Sequence, residues 1–267
     1  MKKYLFFALI ALAIMSCRDT DQSVESLIVK ETAKFDMTKY PENLQKVFAA
    51  HGGLDTWNKM QSLTFALPSK NGDEVHTIDL KTRKTLIQTS KYDLGFDGER
   101  LWIKQDSVFF QPSQAEFVYN LMFYFYAMPF VLADDGIIYK DAQPLEMNGT
   151  RYPGIQISYE AGIGNSFNDE YILYYNPATY KMEWLGYTVT YGREERSDRL
   201  SYINYNKWQE INGFLLPEEL TWYTVENGKP TIPRGPARKC SKVDVDGSTM
   251  DDAIYVKPES GIYVKKD

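Results

Sequence analysis

Few residues in this 267-residue chain have types and spacings that could do chemistry. A zinc site needs about four His, Cys or carboxylate ligands in a tetrahedral set. His51, His76 and Cys240 are the nitrogen and sulfur candidates beyond Cys17, and no paired spacing links them. His76 falls on one face of an expected strand with Ile78 and Leu80, the place of a packed imidazole. His51 stands at the end of an expected helix, where the macrodipole favours it. Asp244-Val245-Asp246-Gly247 opens like a calcium loop, but its glycine comes too early and Tyr255 takes the twelfth position, which needs Glu. Gly162-Ile163-Gly164 lacks the third glycine of a dinucleotide fingerprint and reads as a turn. Asp134-Asp135-Gly136 reads as a turn ending a helix. Arg193, Arg196 and Arg199 among Glu194, Glu195 and Asp198 read as a solvated mixed-charge turn. No Gly-x-Ser-x-Gly elbow occurs. Carboxylate partners for glycoside hydrolysis would meet only in the fold, and none stands out in the sequence. No catalytic residue, cofactor or metal is therefore expected.

Cys17 has a chemistry of its own. Lys2 and Lys3 precede an apolar run from Tyr4 to Met15, about 12 residues, the length and flanks of a secretory leader rather than of a membrane span. Ile14-Met15-Ser16-Cys17 resembles the bacterial lipobox, with Met an unusual second residue. The resemblance implies cleavage after residue 16, diacylglycerol on the Cys17 sulfur and a third acyl chain on the new amine. Two or more chains anchor a protein stably, at about 0.8 kcal/mol per buried CH₂. Residues 1–16 are then a leader, and 17–36, polar and without hydrophobic periodicity, a flexible tether. Residues 37–267 form one domain. The expected partners are the membrane through acylated Cys17 and the machinery that processes and sorts lipoproteins, and the expected location is the cell envelope, at the outer membrane. With Cys17 acylated, Cys240 has no disulfide partner and is expected to be a buried small hydrophobe.

The formal charge is −6, and loss of the leader leaves 28 basic against 36 acidic residues, or −8. That sign argues against a nucleic-acid partner. Tyrosine, at 20 residues, suits half-buried strands and the walls of wet cavities.

The stretch that positions everything else is Phe117–Leu132, FVYNLMFYFYAMPFVL. Ser113 and Glu116 ahead of it have the spacing of a capping box. A helix is expected from about Gln114 to Ala127, ending at Met128-Pro129. A helix apolar on every face is either covered on every face or offers one to a ligand. In the second case Phe117, Leu121, Phe125 and Met128 line the ligand site.

Around it the chain reads as strands. Leu44, Val47 and Phe48 mark one short helix, and Leu54–Met60 a second that presents Trp57. Leu63, Phe65 and Leu67 then alternate. Residues 74–81 and 84–91 form a hairpin, and Asp97-Gly98 turns another. Further strands are expected at Leu101–Ile103, Val108–Phe110, Ile155–Tyr159, Glu170–Asn176, Tyr180–Tyr191, Ser201–Trp208, Phe214–Val225, Ser241–Val245 and Ala253–Lys257. Lys229–Arg238 reads as a Pro/Gly-rich basic loop. Roughly eleven strands at regular spacing indicate an antiparallel sandwich or barrel.

His51-Gly52-Gly53 with Trp57, Leu80–Lys84, Gly95-Phe96-Asp97-Gly98, Phe123–Asp134, Asp169-Glu170-Tyr171 and Pro177–Met182 together resemble uncharacterised lipoproteins of Bacteroidota in the LolA/LppX-like group. The resemblance spans about residues 40–258. It implies a mainly β fold with helices (α+β), a curved antiparallel half-barrel with helices over its concave face. Relatives of that fold carry lipids or acyl chains, while the group itself brings no catalytic residues. Asp106-Ser107-Val108 also matches a short O-glycosylation pattern of these bacteria, with a plain turn as the alternative. The expected function is a non-enzymatic envelope lipoprotein that binds a lipid or other apolar ligand between sheet and helix. The alternative is an envelope scaffold with a filled core.

Overall fold

The computed structural model describes residues 35–69, 72–109, 111, 114–160, 168–191 and 195–264. The leader, Cys17 and nearly all of the tether lie outside the described residues, as do Ser113, Phe110 and Gly162-Ile163-Gly164. The chain divides into two units, Met1–Asp36 and Met37–Asp267, and the second holds every strand and helix of the described residues.

Helix α1 (Glu42–Ala50) buries Leu44, Val47 and Phe48, residues that recur on one helical face. It stops at His51-Gly52-Gly53. Gly52 has φ +112°, and the carbonyl of Gly213 and the ring of Phe214 fill the place a side chain would need. Only glycine fits both demands. Helix α2 (Leu54–Trp57) follows and buries Trp57 against Phe130 and Phe214.

Two antiparallel sheets make up the rest. The first contains β1 (Ser62–Ser69), β2 (Gly72–Asp79), β3 (Thr85–Gln88), β4 (Tyr92–Phe96) and β5 (Leu101–Gln105) as a meander. The late strands β14 (Ser241–Asp246) and β15 (Ile262–Tyr263) close its two edges, beside β1 and β5. The β4–β5 turn is the expected Asp97-Gly98 turn: the Asp97 carboxylate accepts the N–H groups of Glu99 and Arg100 at 2.9 and 2.8 Å. Gly95 pairs with Trp102, whose indole lies where a Cβ would stand and donates to the Tyr255 carbonyl at 2.8 Å.

The second sheet runs, in spatial order, β12 (Lys229–Pro233), β11 (Phe214–Glu226), β10 (Ser201–Ile211), β9 (Met182–Tyr187), β8 (Tyr171–Tyr175), β7 (Thr150–Tyr159) and β6 (Ile137–Met147), with β13 (Arg238–Lys239) also on β11. Register shifts near Lys207 and between Ala142 and Leu145 mark bulges, which bend a strand and raise its twist. The sheet curls into a half-barrel, and helix α3 (Ala115–Tyr126) touches its concave face on one side and the first sheet on the other.

The mainly β, half-barrel architecture agrees with expectation, but several elements differ. Fifteen strands are described rather than about eleven. β6 was not expected: it is an edge strand carrying Lys140, Asp141 and Pro144, polar features that protect an edge and erase its hydrophobic signature. The expected basic loop at 229–238 contains β12 and the start of β13. Ala253–Lys257 is not a strand, since a 3₁₀ turn spans Asp252–Tyr255. Val108 and Phe109 form no strand and are exposed, having no neighbouring strand to pair with. At the start of α3 Gln114 is the N-cap and makes no side-chain cap bond, while Ser113 of the expected capping box lies outside the described residues.

Candidate functional site

α3 is apolar apart from Glu116 and Asn120, which stand one turn apart on one side, and its two halves are buried to different degrees. In the C-terminal half Met122, Phe123, Phe125 and Tyr126 are buried, as are Ala127 and Met128 beyond it. Tyr126 stacks on Phe65 of β1 with ring centres 4.0 Å apart. Phe125 meets Tyr187 of β9 at 4.9 Å and Trp222 of β11 at 6.1 Å, and its carbonyl accepts the buried Tyr205 hydroxyl at 2.7 Å. After the cis Met128-Pro129 bond the chain makes a 3₁₀ turn over Phe130–Ala133, where Phe130 stacks on Trp57 at 4.3 Å.

Polar contacts fasten the end of this segment. Asp134 accepts from Arg83 at 2.6 Å and from the Tyr124 hydroxyl at 3.3 Å. Burial raises the Asp134 carboxyl above its ordinary pKa even though Arg83 opposes the shift. The Tyr139 and Tyr40 hydroxyls donate to the carbonyls of Leu132 and Ala133 at 2.6 and 3.3 Å. Arg83 also lies 4.9 Å from the centre of the Phe123 ring.

The N-terminal half is only partly covered. Ala115 packs with Ile87, Leu94 and Ile103 of the first sheet, and Tyr119 meets Phe96 at 5.5 Å. The opposite stripe, with Phe117 and Leu121, is partly buried, and Phe117 meets Tyr191, in the segment that follows β9, at 5.0 Å. Tyr124, Tyr159 and Tyr171 are likewise half-buried, yet desolvation raises the pKa of all three hydroxyls. Tyr159 and Tyr171 stand on the face of their strands that carries the buried Ile155, Ile157 and Leu173. Tyr159 and Tyr171 stand 6.1 Å apart on β7 and β8, and the charge of a Tyr124 phenolate would act on both. Asp169 holds this part of the sheet together: it is buried and accepts the N–H and the hydroxyl of Thr190 at 2.6 and 2.8 Å, tying the start of β8 to the strand end beyond β9.

The four residues singled out from the sequence therefore separate. Phe117 and Leu121 lie on the half-open stripe, whereas Phe125, 3% exposed, and Met128, 0% exposed, belong to the packed core. The sheet aromatics near α3, Tyr187 and Trp222 against Phe125 and Tyr159 and Tyr171 near Tyr124, were not singled out. Their signal was present in the alternation of Ile155, Ile157 and Tyr159 and of Tyr171, Leu173 and Tyr175, which puts aromatic rings on one sheet face.

The residues with chemical potential serve the fold. His51 is fully buried, with Nδ1 2.8 Å from the Val47 carbonyl and Nε2 accepting the Met182 N–H at 3.4 Å. That pattern fixes the Nδ1–H tautomer, and burial lowers its pKa to about 4, so the ring is neutral. His76 is buried against Phe65 and its Nε2 lies 2.8 Å from Glu74. Cys240 is a buried free thiol whose pKa burial pushes up to about 12. Among the described residues no group of three or more His, Cys, Asp or Glu could hold a metal ion, and no helix is long and apolar enough to cross a membrane.

Residues 111–229, from just before α3 to the start of β12, match a sequence profile described as a family of unknown function, DUF6503. No curated protein matches the chain. Solved structures similar to it include a LolA superfamily protein from Nitrosomonas europaea, 10% identical, with 73% of this chain and 88% of that chain covered and a TM-score of 0.41. A DUF1329 family protein from Desulfovibrio piger is 10% identical over 81% of this chain and 98% of that one, with a TM-score of 0.45. A putative outer membrane lipoprotein-sorting protein domain from Vibrio parahaemolyticus is 8% identical over 80% and 94%, with a TM-score of 0.36.

Proposed function

We propose that this protein is an envelope lipoprotein, held at the outer membrane by acyl chains on Cys17, whose domain binds an apolar ligand between the N-terminal half of α3 and the concave face of the second sheet. The observation that carries this reading is the division of α3. Its C-terminal half is packed in the core, while Phe117 and Leu121 are only partly buried and Phe117 meets the partly buried Tyr191. An apolar stripe left partly wet beside aromatic side chains is the usual make-up of a small-molecule site. Binding without catalysis fits the two histidines, both of which are engaged with other groups of the fold.

Native mass spectrometry of the full chain bearing Cys17→Ala tests the reading. Co-purifying lipid that is lost in Leu121→Glu, with folding retained, is the expected result. A ligand-free protein that also fails to take up a fluorescent fatty-acid ester would refute it and leave the scaffold alternative, which the filled C-terminal half of α3 favours.

A further inference from the structure

Two arginines stand beside the proposed recess. Arg238 on β13 lies opposite Leu220 of β11, and the Arg234 N–H donates to the Trp222 carbonyl at 2.8 Å. Residues opposite one another in antiparallel strands share a face. The Arg238 side chain therefore shares the face of Leu220, the one turned to α3, and Arg234 follows the end of β12 beside Trp222. The Arg238 guanidinium is 5.7 Å from the Trp222 ring centre and reaches Met122 Sδ at 3.7 Å and the Pro68 carbonyl at 3.3 Å. Arg234 is exposed, and its charge acts on the Tyr187 hydroxyl, to which the Trp222 indole donates at 3.1 Å. Phe125 contacts both of those rings.

Neither arginine has a carboxylate within salt-bridge distance among the described residues, although their neighbours Lys239 and Lys242 pair with Glu218 at 3.6 Å and Asp73 at 3.0 Å. Glu74, the acidic group whose field reaches Arg238, is already bonded by His76 and by the Tyr92 hydroxyl. Residues 229–242 hold five basic side chains and no acid, in a chain whose net charge is −6. A guanidinium is a planar fork of donors matched to a carboxylate or phosphate, and here two of them border aromatic surface without such a partner.

Resting on the apolar recess proposed above, we infer that the ligand is an anionic amphiphile. Its tail lies against Phe117, Leu121 and Trp222, and its carboxylate or phosphate head is held by Arg234 and Arg238.

The test is a fluorescence titration of the full chain bearing Cys17→Ala with dansyl-undecanoic acid and with its methyl ester. Both probes should bind, the acid about tenfold tighter, as charge-assisted hydrogen bonds predict. Arg234→Gln, at an exposed position, should remove most of that preference and leave ester binding unchanged. Arg238→Gln should do the same. A long-chain alkyl phosphate should displace the acid, while inorganic phosphate at the same concentration should not. Equal affinity for acid and ester would overturn the head-group assignment and leave the apolar recess standing. Loss of both probes in Arg234→Gln would also overturn it, because the arginine would then be supporting structure. Displacement by inorganic phosphate alone would replace the amphiphile with a free anion. Failure of both probes with unsubstituted arginines would overturn the recess as well.

Discussion

Truncating two residues of α3 one turn apart separates core from recess. Phe125 is 3% exposed, and its ring packs on Tyr187 and Trp222. Phe125→Ala loses the transfer energy of the ring and leaves a void in a region closed by two sheets, so about 3–5 kcal/mol of stability should go. Leu121 points to the same side one turn earlier but is only half-buried. Full burial of a leucine side chain is worth about 1.5–3 kcal/mol, and Leu121, partly exposed, contributes somewhat less, with no void term where solvent can enter. Leu121→Ala should therefore cost about 1–2 kcal/mol. Urea unfolding followed by tryptophan fluorescence, with an unchanged slope, measures both. Apolar-probe affinity should fall in Leu121→Ala without a matching loss of stability. Equal costs for the two variants, both in the 3–5 kcal/mol range, would show that the N-terminal half of α3 is packed as tightly as the rest, and the recess would not exist.

Other outcomes follow from single sites. His51 has a folded pKa of about 4 against 6.5 when unfolded, so the unfolded state takes the proton first as pH falls. Its stabilisation is complete above pH 6.5 and is lost between there and pH 4, about 2 kcal/mol by pH 5; His51→Gln should flatten that slope in unfolding curves, and an unchanged slope would contradict the neutral buried imidazole. Cys240 should react with a thiol reagent only after denaturation, and fast labelling of the folded protein would contradict its burial. Gly95→Ala should cost about 1–3 kcal/mol by forcing the Trp102 indole aside, and a neutral effect on the midpoint would mean that the indole moves freely. Cys17→Ala should move the protein to a soluble fraction; processed protein that stays on membranes through a salt wash would argue against lipid anchoring.

Much of this fold was legible because local patterns and burial agree. Leu44, Val47 and Phe48 gave α1, Leu63, Phe65 and Leu67 gave β1, and Asp97-Gly98 gave the β4–β5 turn. The failures share a cause, which is that edges and short closing pieces are decided by distant partners. β6 carries charge and proline because only one neighbour, β7, pairs with it. β12 and β13 come from a Pro/Gly-rich stretch that becomes strand only because β11 is long enough to receive both. Val108 and Phe109 show the reverse, an apolar run that no strand receives. Helical spacing named the stripe Phe117, Leu121, Phe125, Met128, but that Phe125 and Met128 are closed into the core while Phe117 and Leu121 are not depends on distant strands.

Those strands bury the two halves of α3 to different degrees. Every strong fastening is at its C-terminal end, where the Tyr205 bond to the Phe125 carbonyl, the Arg83–Asp134 pair and the Trp57–Phe130 stack converge. At the other end Gln114, the N-cap, makes no side-chain cap bond, and the first two turns pack on the first sheet through Ala115, Val118 and Tyr119 and meet Tyr191 beyond β9 through Phe117. A ligand placed as proposed above lies beside Phe117, where burial is less complete, with Phe125, Tyr187 and Trp222 packed together beyond it.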